Sequence, residues 1–361
     1  MKAAVLGVGL IGGSIGLAAR QKLECEVVGW GPNRPTLDRA LELGAVDSAV
    51  DSIEAACAEA EVVFCAAPVS VLPELVRAAL AASGPEAVVT DAGSTKQGIV
   101  AAFGEDERFI GGHPLAGAET AGVGNARADL FEGARWYLTP TESSSGILYD
   151  RLQWTVAGLG ARPQAIDPVA HDRLMATVSH LPHVVADVLA AQAAAELVRD
   201  SQRMPEAGPS FRDATRVAGS NPAIWSDIFV ANREAIVAAI DDTVARLGEA
   251  RQLIASGDRE GIAAWHAAAA AERDRLLETE SGAGALREVR AVVPNRPGIV
   301  AELALALGEA GVNIEDMALH PAADMRSGAI SVWVAGDEQA GRAVALVAEL
   351  GHRATAVDGK E

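Results

Sequence analysis

The chain has 361 residues, half of them hydrophobic and 22% charged, which excludes a disordered or fibrous chain and leaves room for two or three domains of about 150 residues. Forty-nine acidic against thirty basic residues give a net charge of −19; with no run of Lys or Arg to relieve it, nucleic acid and anionic membrane are excluded as partners. An anionic ligand must instead be held locally, by a helix N-terminus or by single arginines.

The first twenty residues imitate a signal peptide, but Gly7, Gly9, Gly12, Gly13 and Gly16 dilute any apolar run and fit a strand, a tight turn and a helix. No window holds the roughly 18 uncharged apolar residues of a membrane span. Short apolar runs at Ala3–Leu6, Glu26–Gly29, Val62–Cys65 and Ala87–Thr90, separated by helical stretches, read as buried parallel strands. Further strands are expected at Phe109–Ile110, Arg135–Leu138 and near Arg162–Ile166. The fold class is therefore α/β, with a doubly wound, Rossmann-like domain over 1–166. Cys25, Cys57 and Cys65 show no C-x-x-C spacing, so neither disulfides nor a thiolate metal site is implied, and a reduced, cytoplasmic chain is expected.

Asp167-Pro168, an N-cap acid followed by proline at the first helical position, opens a long Ala-rich helical region. This all-helical domain, 167–283, is expected to bury an apolar face in a homodimer. After the linker Ser281-Gly282-Ala283-Gly284, the order strand, helix, strand, strand, helix, strand over 284–361 predicts a ferredoxin-like α+β domain.

Gly7-Val8-Gly9-Leu10-Ile11-Gly12 follows the first strand and opens a helix, the context in which G-x-G-x-x-G binds a dinucleotide. Gly7, Gly9, Leu10, Ile11 and Gly12 are thus candidate cofactor residues, with Pro68 and Ser70 at the end of a neighbouring strand. The second strand ends in Gly29-Trp30-Gly31, without the usual ribose-binding acid, and Arg34 lies close by; NADP is possible beside NAD. Ser94 and Thr95 follow another strand, and His113 sits in the segment Gly111–Glu119, read as a glycine-rich, proline-fixed loop where an imidazole can act as a base. His180 and His183 have no Cys, Asp or Glu completing a metal set, so no metal is expected. Pro182 between them should interrupt the helix. His171, His266, His320 and His352 are read as ordinary packing or surface residues.

Five motifs in order carry a resemblance: the glycine fingerprint, Asp91–Lys96, Gly112–Glu119, Ser179–His183 and Asp213–Arg216. Over about residues 1–280 the chain resembles the prephenate dehydrogenase family of tyrosine biosynthesis. The resemblance implies that His113 is the catalytic histidine, Ser94 its hydrogen-bonding orienter, and Arg216 the ligand of a substrate carboxylate. It also implies that Ser179, His180 and His183 line the substrate site, with Glu119, Asp213 and Trp225 in support. Ala118 stands where some members have threonine, and Gly31 where NAD-using members have an acid. The implied reaction removes hydride from the carbinol carbon of prephenate while its hydroxyl loses a proton and CO2 departs. Arogenate is the alternative substrate, and a non-catalytic amino-acid sensor the alternative class. A β-hydroxyacid dehydrogenase would need a lysine in the helical part, but there is none between Lys96 and Lys360.

Val293–Val300 and Gly311–Ile314 resemble an ACT regulatory domain. That resemblance implies tyrosine as effector near Asn295, Gly298 and Asn313, although the family usually has aspartate at the position of Asn295. A module used only for dimerisation is the other reading.

Overall fold

The computed structural model describes residues 1–117, 120–200, 208–281, 286–294, 299–312, 314, 316–321 and 327–357. Contacts group the chain into two units, Met1–Leu247 and Gly248–Glu361.

In the first unit, β1 (Lys2–Leu6), β2 (Glu26–Trp30), β3 (Ser48–Ala49), β4 (Val62–Cys65) and β5 (Val88–Asp91) form one sheet in the order β3-β2-β1-β4-β5. Every pairing in it is parallel. The helices between its strands are α1 (Leu10–Leu23), α2 (Arg34–Glu42), α3 (Ile53–Cys57) and α4 (Leu72–Ala82), and α5 (Gln97–Phe103) follows β5. Both faces of the sheet are covered, which is why its strands are apolar throughout rather than alternating. Val5 and Phe64 pack into one core with Ile15 and Trp136, while Ala4, Leu6 and Val63 pack into the other with Leu75 and Phe109. The strand order reverses between β2-β1 and β1-β4, and a ligand crevice opens outside the carboxyl ends of strands at such a point.

The expected strand at Phe109–Ile110 proves to be a single bridge from Phe109 to Val89. The strand itself, β6, is Gly111–Pro114; it runs antiparallel to β7 (Arg135–Thr139), which pairs in parallel with β8 (Arg162–Ala165). These three strands form a separate mixed sheet, with α6 (Gly146–Gly158) between β7 and β8. His113 is therefore a strand residue, opposite Tyr137, and not a loop residue.

The helical region begins as expected. The Asp167 carboxylate accepts from Ala170 N–H at 2.8 Å and Pro168 starts α7 (Pro168–Met175). The helix continues through a π-helical turn, Ala176–His180, into α8 (Leu181–Asp200). In that turn the Leu181 N–H reaches back to the Ala176 carbonyl, just before Pro182. Proline thus does not break the helix here; the extra residue absorbs the misfit, as π-turns do at functional sites. Then follow α9 (Pro209–Thr215), a 3₁₀ turn at Arg216–Gly219, α10 (Pro222–Ala231) and α11 (Arg233–Ser256), which spans the boundary between units.

The helix Pro168–Glu196 has a mean hydropathy of 1.4 in its most apolar window and is long and apolar enough to cross a membrane by composition, closer to such a span than the sequence reading allowed. It nevertheless carries buried His171, Asp172 and His180; Val178, Val185 and Val188 are exposed, as are Val230, Val237 and Val244 of the later helices.

The second unit contains α12 (Arg259–Ser281) and then β9 (Leu286–Pro294), α13 (Ile299–Glu309), β10 (Asp316–Pro321), β11 (Ser327–Ala335), α14 (Gly336–Glu349) and β12 (Arg353–Val357). Its sheet has the order β10-β11-β9-β12, antiparallel throughout, over a core that includes Val289, Leu303, Val332 and Val347. This is the ferredoxin-like arrangement.

Candidate active site

A cleft of about 720 Å³ lies at the switch point, lined among others by Gly7, Gly9, Trp30, Gly31, Asn33 and Pro68. Gly7 has φ +97°, and a Cβ on it would stand 2.3 Å from the Ala66 carbonyl oxygen. A Cβ on Gly12 would stand 2.0 Å from the Gly7 carbonyl oxygen, so this glycine lets α1 close on the turn. A Cβ on Gly9 meets nothing within 4 Å, so the space over it is open to the cleft. That division of labour suits a dinucleotide pyrophosphate at the start of α1.

Four expected cofactor residues stand elsewhere. Leu10 and Ile11 pack against the core, since they are the first apolar residues of α1. Ser70 donates its hydroxyl hydrogen bond to Asp227 of α10 and borders a different cavity, with Thr95 and Ser226. Arg34 does not line the cleft: its Nε lies 2.9 Å from Asp38 Oδ1 and its Nη1 3.3 Å from Asp51 Oδ1. Asn33 caps α2, accepting from the Thr36 N–H at 3.0 Å.

A second cavity, of about 350 Å³, brings together Ser94, His113, Ser179, His180 and Trp225. These come from the β5–α5 loop, β6, the π-turn and α10, so motifs far apart in the chain meet at one place. Against it lies a cavity of about 340 Å³ lined by His183, Asp187, Val217 and again Trp225, whose ring stacks on His183 at 3.3 Å. Arg216 is exposed in the turn after α9, close enough to His183 for its charge to help lower that imidazole's pKa.

The scaffold under His113 is polar and buried. Asp91 accepts from the N–H of Gly93 at 2.8 Å and of Gly112 at 3.1 Å, and pairs with Lys96. Asp172 accepts from the N–H groups of Lys96 at 2.7 Å and Gln97 at 2.9 Å, at the start of α5. His171 lies between, its Nδ1 2.8 Å from Asp172 Oδ1 and its Nε2 2.9 Å from His113 Nδ1. Asn232 donates to the Asp172 carbonyl at 2.8 Å and lies 3.1 Å from His180 Nδ1. One expectation is thereby corrected: His171, the partner on His113 Nδ1, is no ordinary packing residue, while Ser94 shares the cavity with His113. The sequence held one signal for it, an aspartate directly after the histidine; its contact with His113 spans 58 positions.

Burial holds His113 well below the usual imidazole range, with His171, Lys96 and His180 adding to the effect. Burial likewise pushes His180 down to about 4, against the pull of Asp172. His183 is lowered by burial, with Asp187 opposing. Both ring systems nearest the cavity are therefore neutral at physiological pH, the state in which an imidazole can accept a proton. Among the described residues no group of three or more His, Cys, Asp or Glu is placed to hold a metal ion. Glu119, Asn295, Gly298 and Asn313 lie outside the described residues.

Residues 15–163 match the model of the prephenate dehydrogenase nucleotide-binding domain and residues 167–267 that of the prephenate dehydrogenase dimerization domain. A prephenate dehydrogenase of Bacillus subtilis is 31% identical over 349 residues, 93% of each chain. Among solved structures, prephenate dehydrogenase from A. aeolicus in complex with hydroxyphenyl propionate and NAD+ has a TM-score of 0.70 at 28% identity, covering 76% of this chain and 98% of that one. A Synechocystis arogenate dehydrogenase has a TM-score of 0.68 at 27% identity, covering 76% of this chain and 100% of that one. The glycine-lined cleft, the histidine cavity and these similarities agree: the chain belongs to the prephenate dehydrogenase family.

Proposed function

We propose that this chain oxidatively decarboxylates prephenate to 4-hydroxyphenylpyruvate, with NAD as hydride acceptor, in tyrosine biosynthesis. The observation that carries the reading is the buried, neutral His113 sharing one cavity with Ser94, Ser179 and His180 at the carboxyl edge of a nucleotide-binding sheet. Gly7, Gly9 and Gly12 would hold NAD in the cleft, where it would supply the acceptor for the hydride of the carbinol carbon. His113 accepts the hydroxyl proton as that hydride leaves, and loss of CO2 with aromatisation of the ring drives the step; a positioned base supplies about 10²–10⁴ in rate. Arg216, with its planar fork, holds a substrate carboxylate. Ser179, His180 and His183 orient the substrate, with Glu119 in support, and Trp225 closes the apolar side.

We assign 1–166 to the nucleotide, 167–283 to substrate and dimerisation, and 284–361 to regulation. The exposed valines of the helical region support a homodimer, and the free, buried Cys25, Cys57 and Cys65 a cytoplasmic enzyme. The ferredoxin-like topology of the C-terminal sheet supports an ACT-like domain that takes tyrosine near Asn295, Gly298 and Asn313. The relation to the B. subtilis enzyme, over 93% of the chain, necessarily enters this region.

The test is production of reduced nicotinamide from prephenate or arogenate, each with NAD and NADP, with and without tyrosine. Turnover of prephenate with NAD, slowed by tyrosine, is expected. A folded protein that binds dinucleotide and turns over neither substrate overturns the reading in favour of an amino-acid sensor.

A further inference from the structure

We infer that His171 and Asp172 act as a positioning pair that fixes His113 in the tautomer protonated on Nδ1, leaving Nε2 as the lone pair that accepts the substrate proton. The inference rests on the reading of His113 as the base and adds the reason it is competent.

The argument is one of hydrogen-bond bookkeeping. Asp172 already accepts from two backbone N–H groups, Lys96 at 2.7 Å and Gln97 at 2.9 Å, and an ionised carboxylate has only acceptors to offer. The contact of 2.8 Å between Asp172 Oδ1 and His171 Nδ1 therefore takes its proton from the histidine. Where His171 carries one proton, that proton is the one on Nδ1, so Nε2 is an acceptor. The contact of 2.9 Å from there to His113 Nδ1 then takes its proton from His113. With His171 singly protonated, each link has one polarity, and the last puts the single proton of neutral His113 on Nδ1.

The chain of bonds is locked in place. His171 has no exposed surface and Asp172 is 2% exposed. The rings of His113 and His171 meet edge to face at 72°, and Tyr137 of β7 meets His171 at 84°. The charged and titratable groups around the pair are Lys96 with Asp91 at the start of α5 and His180 in the π-turn; Asn232 fixes the Asp172 backbone and stands beside His180. When His113 takes up the substrate proton, the same chain lets Asp172 stabilise the resulting imidazolium through His171, as a carboxylate does through a single histidine in hydrolytic triads.

The test uses the full chain. Nitrogen-15 NMR of the histidine-labelled protein should show His113 protonated on Nδ1 and bare on Nε2. His171→Leu should lower kcat about 100-fold, with the prephenate KM changed less than about threefold. His171→Gln, whose carbonyl oxygen can accept from His113 Nδ1 in place of the ring nitrogen, should recover kcat to within about tenfold of the parent. A His113 proton on Nε2, undiminished kcat in His171→Leu, or equal losses in the Leu and Gln variants would each overturn the positioning pair. His113→Asn separates the two readings: if it keeps full turnover the base assignment itself fails, whereas if it is inactive while His171→Leu is not, only the positioning pair fails.

Discussion

Lys96 and Asp91 form an ion pair in which neither side chain has any exposed surface. The same carboxylate accepts from Gly93 in the loop that carries Ser94 and from Gly112 beside His113, so the two halves of the histidine cavity hang from one buried charge. Removing its counterion leaves an uncompensated carboxylate in the interior, which costs about 3–5 kcal/mol. Lys96→Met is therefore expected to lower the denaturation midpoint of the first unit strongly and to reduce kcat. A variant that unfolds at the parental denaturant concentration would show that the pair is structurally neutral.

The glycines of the first turn separate a folding role from a binding role. A Cβ on Gly12 runs into the Gly7 carbonyl, while one on Gly9 meets only open space. Gly12→Ala is expected to depress the melting temperature and nucleotide binding together. Gly9→Ala should melt with the parent yet bind NAD at least about tenfold more weakly, because the methyl takes the place of the approaching pyrophosphate. Calorimetry and dinucleotide titration on both variants check this, and equal NAD affinity for Gly9→Ala and the parent would remove the pyrophosphate from that position.

Much of this architecture was legible before any coordinates, for reasons that also explain the misses. Strands β1, β2, β4 and β5 announce themselves as apolar runs because both faces of a parallel sheet are covered. Strand β3, Ser48–Ala49, is too short for any pattern. Strand β6, Gly-Gly-His-Pro, has residues that disfavour strands and is held by pairing with β7 and by Asp91, both distant in sequence. The histidines of Ser179–His183 stand out by their motif, and His180 lines one cavity with His113. The role of His171 was not, because it lies in one contact across 58 positions. Ser70 shows the converse: its place after β4 fits a nucleotide contact, but its hydroxyl is committed to Asp227, 157 positions away.

The pH dependence follows from neutral, buried imidazoles. Burial pushes the His180 imidazole from the ordinary 6.5 down to about 4 in the folded chain. Between those values the unfolded chain binds a proton that the folded chain refuses, so stability falls as pH drops through that window and is fully present above it. At one pKa unit per 1.36 kcal/mol, His180 alone accounts for about 3 kcal/mol by the acid end. Because His113 is lowered as well, kcat/KM should stay level from about pH 8 to pH 6.5, with its acid limb at lower pH. An acid limb centred at or above pH 6.5, or stability that rises on acidification from 6.5, contradicts the buried, neutral state of the pair.

The end of β2, Trp30-Gly31-Pro32-Asn33, carries no acid, and Arg34 follows it as the candidate partner for a 2′-phosphate. Its guanidinium is already shared by Asp38 and Asp51. Exposed pairs of this kind are individually weak, under about 1 kcal/mol each, so they do not immobilise the arginine. Their effect is on the incoming dianion, which must approach two carboxylates to reach one cation. The parent is expected to prefer NAD. The double variant Asp38→Asn, Asp51→Asn removes both repulsions and frees Arg34, and its kcat/KM with NADP should rise about tenfold relative to that with NAD, most clearly at low ionic strength. A ratio unchanged by the double substitution would mean that Arg34 lies beyond reach of the 2′ position, leaving Trp30, Gly31 and Asn33 at the cleft to set the preference.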